Sequence, residues 1–188
     1  MRLLVQRISE GWVEVADGAS RPGCPSSTRE RSAVSPGQAD AGEEAPHGGP
    51  GLLALVGFRT SDAEPILEPM AAKLIHLRIM ADADGRMNRS LADTAGCLVL
   101  VPQFTLYGDC RQGRRPSFFA ALPPEPAEAL YDRFVSICRG YCVTDGIDLR
   151  TGRFGAAMRV HLVNDGPVTL LLDSTELGLD SAAGLRGS

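Results

Sequence analysis

Between Asp17 and Pro50 the chain reads DGASRPGCPSSTRERSAVSPGQADAGEEAPHGGP, dense in Gly, Pro, Ser and Ala with scarcely a large apolar residue. Such a composition buries too little surface to offset the entropy of ordering its backbone, so residues from about 18 to 50 are read as a flexible insertion in a surface loop. Only 16 residues precede it, too few for a domain, so the segment does not link two domains. One domain is expected over 1–173, interrupted near its start. Residues 174–188, STELGLDSAAGLRGS, are expected to form a frayed tail. The insertion lies apart from every motif named below and is expected to be dispensable for catalysis.

Either side of this break the pattern is regular. RLLVQRI (2–8) and WVEVA (12–16) have strand character, with Glu10-Gly11 between them as a hairpin signal. GLLALVGF (51–58) is a buried strand. Ser61-x-x-Glu64 has the form of a capping box before Ile66, Met70, Leu74 and Ile75, which predicts a helix to about Ile79; Pro65 suits its first turn and Pro69 delays or kinks it. ADADGRMNRSLADTAG is a turn-rich loop. CLVLVPQFTLYGD (97–109) is a long strand interrupted by Pro102, which implies a bulge, an edge or a backbone released for another purpose. Pro124 and Pro126 open a helix whose apolar face carries Ala127, Leu130, Tyr131, Phe134, Ile137, Cys138 and Tyr141. Met158 to Val163 alternates, Val168 to Leu172 is β-prone, and Asn164-Asp165-Gly166-Pro167 between them combines a hairpin signal with a proline that cannot donate to a ladder. The fold class expected is α+β: a curved, mainly antiparallel sheet or open barrel with two packed helices.

Composition removes several functions. The longest apolar runs are strand-length and MRLLVQRISE is not a signal peptide, so no membrane partner is expected and the cytoplasm is the default compartment. Five cysteines without a C-x-x-C pair point to reduced thiols, and Cys138 and Cys142 to helix packing rather than a metal. The net charge of -4 weighs against a nucleic-acid binder. Yet Arg111, Arg114 and Arg115, and again Arg150, Arg153 and Arg159, cluster beside glycine-rich turns, as solvated faces or as phosphate contacts. No Walker loop, nucleophile elbow, H-E-x-x-H or dinucleotide fingerprint is present. His161 sits in an alternating strand and reads as structural. Thr105 has no evident base. Any reaction here must need little acid–base help, as hydrolysis of an activated ester does.

LLVQRI, QFTLYGD, GRRPSF, AEALYDRFV and TGRFGAAMRVHLVNDGPVT, in that order, resemble the D-aminoacyl-tRNA deacylase family over nearly all of 1–173 except the insertion. The resemblance implies hydrolysis of the ester joining a D-amino acid, or mischarged glycine, to the terminal adenosine of tRNA. It implies a homodimer with its sites at the interface, and neither cofactor nor metal. Gly166-Pro167 would be a cis bond that enters the partner subunit's site and excludes L residues by a clash with the wrong hand, with Arg7 fixing it. The backbone N–H groups of Phe104 and Thr105 would receive the developing oxyanion, an effect of about 3 to 4 kcal/mol per donor. Gln103 would orient that strand or the ribose, while water and the ribose 2′-hydroxyl occupy the reaction centre. Phe154 and Met158 would hold the adenine; Arg111, Arg114 and Arg115 would meet tRNA phosphates.

Pro102 replaces the serine usual before this triplet. A related deacylase that edits L-alanine mischarged on tRNA(Thr) shares the proline but has alanine in place of the phenylalanine. Phe104, Arg7 and the intact NDGPVT favour D-specificity. The reading from a different class is a non-catalytic RNA or single-strand DNA binding module in which Phe104, Phe154 and the arginines form the surface.

Overall fold

The computed structural model describes residues 1–15 and 48–179, so nearly all of the proposed insertion and the end of the tail lie outside the described residues. Its strands are β1 (Arg2–Val15), β2 (Gly51–Gly57), β3 (Met80–Ala81), β4 (Met87–Arg89), β5 (Cys97–Pro102), β6 (Asp148–Thr151) and β7 (Met158–Asp173). The α-helices are α1 (Leu67–Ile75), α2 (Leu91–Thr94) and α3 (Pro124–Asp145).

Five strands form one mixed sheet in the order β6-β5-β2-β1-β7, and β3 pairs with β4 separately. The parallel strands β2, β5 and β6 are linked through helices, α1 and α2 on the way to β5 and α3 on the way to β6. The longer ladders, β1 with β2 and β1 with β7, are antiparallel. Near-continuous apolar runs let β2 and β5 sit at the centre, buried on both faces. One face carries Leu3, Val5, Leu52, Ala54, Val56, Leu98 and Leu100 against Met70 and Leu74 of α1 and Tyr131, Phe134 and Cys138 of α3. On the other, Leu53, Val99 and Val101 meet Ile8, Val13, Met158 and Leu162. The far halves of β1 and β7 therefore curl over the face that no helix among the described residues covers. The sheet is curved and open, and no barrel closes.

Several local expectations change. The Glu10-Gly11 hairpin does not form: β1 runs through, with Glu10 opposite Val163 and Gly11 opposite Leu162. Glycine is needed at 11 for close approach, because a Cβ there would lie 2.9 Å from Ile8 Cδ1 and 3.2 Å from the His161 carbonyl oxygen. The Ser61–Glu64 capping box is absent as well; Ala63 caps a 3-10 turn over Glu64–Ile66, and Glu64 instead accepts from Arg133 Nε at 2.7 Å. Helix α1 stops at Ile75, short of Ile79, and Pro69 falls in its first turn, where a missing N–H is tolerated. A capping box does form between Ser90 and Asp93, opening α2 inside what the sequence presents as loop. The strand begun at Cys97 ends at Pro102 and turns into a 3-10 helix, Phe104–Tyr107. Beyond β7 the chain stays packed at first: Ser174 is buried and donates from its N–H to the Met1 carbonyl at 2.9 Å.

Nor is there a hairpin at Asn164–Pro167. Strand β7 continues in one direction on both sides of it, with Asn164 opposite Ile8 and Thr169 opposite Gln6. Residues 165–168 leave the ladder opposite Arg7, a bulge that preserves pairing above and below.

Candidate functional site

At the carboxyl end of β5, Pro102 lies opposite Val56, and the Gln103 N–H donates to the Val56 carbonyl at 2.7 Å. The chain then winds into the 3-10 helix, whose first N–H groups, those of Phe104 and Thr105, have no acceptor within their own turn. The Gln103 side-chain amide donates to the Thr105 hydroxyl. Phe104 is 55% exposed and meets the Phe118 ring edge-on at 5.1 Å. Gly152 follows β6 at the same end; a Cβ on it would lie 2.9 Å from Met158 Sδ and 3.1 Å from Pro102 Cδ. Glycine thus lets Met158 pack beside Pro102. Phe154 is half-buried, its ring 6.2 Å from Tyr131, whose buried hydroxyl lies 3.0 Å from the Leu100 carbonyl oxygen and 3.2 Å from that of Gly152. Burial pushes that phenol's pKa up, so it remains a neutral donor tying β5 to the β6–β7 connection.

Five of the expected residues therefore share one end of the sheet: Gln103, Phe104, Thr105, Met158 and, across Tyr131, Phe154. Among the described residues, no histidine or carboxylate hydrogen-bonds to Gln103, Phe104 or Thr105. His161 is elsewhere on β7, stacked on Trp12 with ring centroids 4.6 Å apart. No group of three or more His, Cys, Asp or Glu among the described residues is placed to hold a metal.

The arginine loop adjoins this end. Asp109 and Ser117 exchange backbone hydrogen bonds of 2.7 and 2.8 Å, closing a hairpin over residues 110–116. Arg111 is turned back on Asp109, with Nη2 2.7 Å and Nε 2.9 Å from the carboxylate, and this contact holds the Asp109 carboxyl down to about 2. Arg114 and Arg115 are exposed without an ion pair among the described residues.

Arg7, Gly166 and Pro167 are at the other end. The Gly166–Pro167 peptide bond is cis, Gly166 has φ 123°, and both residues are exposed. Arg7 donates from Nη1 to the Ile79 carbonyl at 2.9 Å and from Nε to the Asp165 carbonyl at 3.2 Å, with the Asp165 carboxylate 3.0 Å from Nε. Asn164 closes the loop: its Oδ1 accepts from the Val168 N–H at 2.9 Å and its Nδ2 donates to Thr169 Oγ1 at 2.8 Å. Sequence reading passed over Asn164 as a turn former, although an Asn four residues before a free N–H is a recognisable local hydrogen-bond donor–acceptor. Gly152, Tyr131 and Phe118 stand inside the motifs TGRF, AEALYDRFV and GRRPSF, but the parts they take here come from tertiary contacts that those motifs do not spell out.

The two groups of residues do not meet within one chain. Arg7 is in register with Leu52, whereas Gln103 bonds to Val56. Four residues of strand separate these ends by roughly 13 Å along β2 alone, and β1 and β5 flank β2 on opposite sides.

Backbone N–H groups at the end of a parallel pair, with an aromatic and a thioether nearby and, among the described residues, no side-chain acid or base hydrogen-bonded to them, make this end of the α+β scaffold the candidate site. Residues 4–173 match the profile of the family described as D-Tyr-tRNA(Tyr) deacylase. A protein of Stenotrophomonas maltophilia named D-aminoacyl-tRNA deacylase is 48% identical over 172 residues, 92% of this chain and 99% of its own. The solved structure of a c-Myc DNA unwinding element binding protein is 31% identical with a TM-score of 0.71, covering 93% of this chain and 99% of that one. A probable eukaryotic D-amino acid tRNA deacylase, 20% identical over 91% of this chain and 97% of its own, shares the fold at a TM-score of 0.65. The chain belongs to the D-Tyr-tRNA(Tyr) deacylase family and is a hydrolase of the aminoacyl-tRNA ester.

Proposed function

We propose that this protein is a chiral proofreading enzyme of translation that works as a homodimer, each site combining the Gln103–Thr105 end of one chain with the Gly166–Pro167 loop of a second copy. The observation that carries the reading is the separation of these groups along β2, which leaves a single chain with the chemistry at one end and the loop at the other. Support for a second copy comes also from β7, a sheet edge of 16 residues with Val160, Val163, Leu170 and Leu171 exposed. Such an edge is a template for association.

Phe154 and Met158 hold the terminal adenine, which brings the ester carbonyl over the 3-10 helix. Water adds to that carbonyl, and the N–H groups of Phe104 and Thr105 take the negative charge that develops on its oxygen. The bond to the ribose 3′ oxygen then breaks and the proton passes to that oxygen, with the neighbouring 2′-hydroxyl at the reaction centre. Gln103 keeps the Thr105 hydroxyl occupied, so that side chain positions rather than attacks. Across the interface, the carbonyls of Gly166 and Pro167 face the substrate Cα and leave space for hydrogen only where an L side chain would stand. Charged tRNA is found where translation runs, which makes the cytoplasm the working compartment. Among the described residues no helix is long and apolar enough to cross a membrane.

The test is release of amino acid from D-Tyr-tRNA, Gly-tRNA, L-Tyr-tRNA and L-Ala-tRNA(Thr). Turnover of the first two alone supports the reading. Preferred turnover of L-Ala-tRNA(Thr) transfers it to the related editing activity that Pro102 resembles, and turnover of none refutes it.

A further inference from the structure

Phe119 is 93% exposed, the most exposed of the large hydrophobic side chains among the described residues. A single apolar residue on a surface ordinarily needs no explanation, but the backbone presenting this one is firmly held. The turn Phe118–Ala121 is closed by the Ala121 N–H donating to the Phe118 carbonyl at 3.0 Å. The Thr60 N–H donates to the Ala120 carbonyl at 3.2 Å, and the Leu122 N–H to that of Phe58 at 3.0 Å, so the turn is pinned to the end of β2. Phe119 thus stands out from a fixed turn.

Two neighbours give the position meaning. The adjacent Phe118 packs its ring on Phe104, placing Phe119 one residue beyond the wall of the candidate site. The hairpin closed by Asp109 and Ser117 carries Arg114 and Arg115, exposed cations on a chain whose net charge is -4. An exposed aromatic on a turn hydrogen-bonded to the end of β2, a few residues along the chain from exposed arginines that form no ion pair among the described residues, matches how single-stranded nucleic acid is held, with a base stacked on the ring and phosphates on the cations.

We propose that Phe119, with Arg114 and Arg115, forms a platform for the unpaired nucleotides that precede the terminal adenosine of the tRNA substrate: the ring stacks one base and the arginines take the adjoining phosphates. This rests on the aminoacyl-tRNA reading of the site and adds a contact outside the pocket for the adenosine. Binding energy gained there raises the affinity for tRNA without touching the ester.

The experiment compares D-Tyr-tRNA with 3′-O-D-tyrosyl-adenosine, which carries the ester and the terminal nucleoside but no preceding nucleotides. Phe119→Ala should raise KM for D-Tyr-tRNA roughly tenfold with kcat unchanged, a typical effect for one stacked base, and leave hydrolysis of the adenosine ester as in the wild type. Phe119→Trp should restore KM, and Arg114→Ala and Arg115→Ala should each flatten its dependence on salt. An unchanged KM for D-Tyr-tRNA in Phe119→Ala overturns the proposal. So does an equal rise for both substrates, or a change of oligomeric state in sedimentation, which would place the ring in a protein contact instead. Hydrolysis of neither substrate by the wild type removes the reaction itself, and this platform with it.

Discussion

The Arg7 guanidinium holds the Asp165 carboxylate at 3.0 Å and the Asp165 carbonyl at 3.2 Å from the same Nε, while its Nη1 reaches across to Ile79. One cation thus ties the segment that leaves β7 to the chain that follows α1. Arg7→Lys should lose most of this arrangement, since a point charge cannot span three acceptors set by a planar fork. Charge-assisted hydrogen bonds of about 1.5 to 3 kcal/mol convert to a fall of roughly ten- to a hundredfold in kcat/KM for D-aminoacyl-tRNA. The comparison of D- and L-Tyr-tRNA turnover checks it, with circular dichroism reporting the fold. Wild-type discrimination in Arg7→Lys would show that Arg7 has no part in the site.

Gly166 has a backbone conformation that L side chains rarely adopt, and an added Cβ would stand 2.7 Å from Val168 Cγ2 and 3.0 Å from Arg7 Nη2. Gly166→Ala should cost about 1 to 2 kcal/mol from the left-handed φ, seen as a fall of a few degrees in Tm. Deacylation should fall much further, because the loop must shift to admit the methyl group.

Separation of the two groups along β2 makes a quantitative expectation for mixed dimers. A chain disabled at Phe104 and a chain disabled at Gly166 should each be inactive alone. Reassorted in equal amounts, they form one intact site in each mixed dimer, and about a quarter of wild-type activity returns if subunits pair at random. Titration of co-expressed, differently tagged chains measures this. Absence of recovery, with mixed dimers demonstrated, would place both groups in the service of a single chain.

In the proposed mechanism Thr105 offers its N–H rather than its hydroxyl. Thr105→Ala should therefore lower kcat by roughly two- to tenfold, the size of one neutral hydrogen bond, whereas loss of a true nucleophile costs about a millionfold. With no histidine or carboxylate among the described residues hydrogen-bonded to Gln103, Phe104 or Thr105, the pH–rate profile should lack the bell shape that paired acid and base groups produce. His161→Gln should leave that profile in place.

Burial pushes the thiols of Cys97 and Cys142 up from 9.0 to about 11, and raises that of Cys138 as well. The folded pKa values lie above the unfolded ones, so the contribution of these neutral thiols is intact below about pH 9 and is lost as pH rises through about 11. Tm should fall across that interval, and less so in Cys97→Ala. At pH 8 a thiol reagent should modify exposed Cys110 promptly and reach Cys97, Cys138 and Cys142 only on unfolding, as peptide mapping would show.

Much of the scaffold was legible from periodicity. The unbroken apolar runs of β2 and β5 announce central strands, and the face from Ala127 to Cys138 announces α3. Glu10-Gly11 misled because glycine serves equally for a turn and for close approach, and only the β7 partner decides between them. Ser61 and Glu64 had the spacing of a cap, but Arg133 of α3 took the glutamate. Motif residues around Gln103 and Gly166 could be recognised individually. That they lie at opposite ends of the sheet depends on strand direction, which short motifs do not encode. Gly152 and Tyr131 are legible only as members of a motif and, for Tyr131, of a helix face; what each does depends on what a distant segment places beside it.

The looped-out residues 165–168 are bracketed by ladder on both sides, Asn164 with Ile8 and Thr169 with Gln6. The ladder on either side does not depend on pairing by these four residues, so a substitution that keeps the Gly166 conformation and the Arg7 contacts should leave the register in place. Under the proposed function, substrate choice rests on this unpaired loop while the register of the sheet rests on the paired residues to either side, two separate sets of positions along one strand.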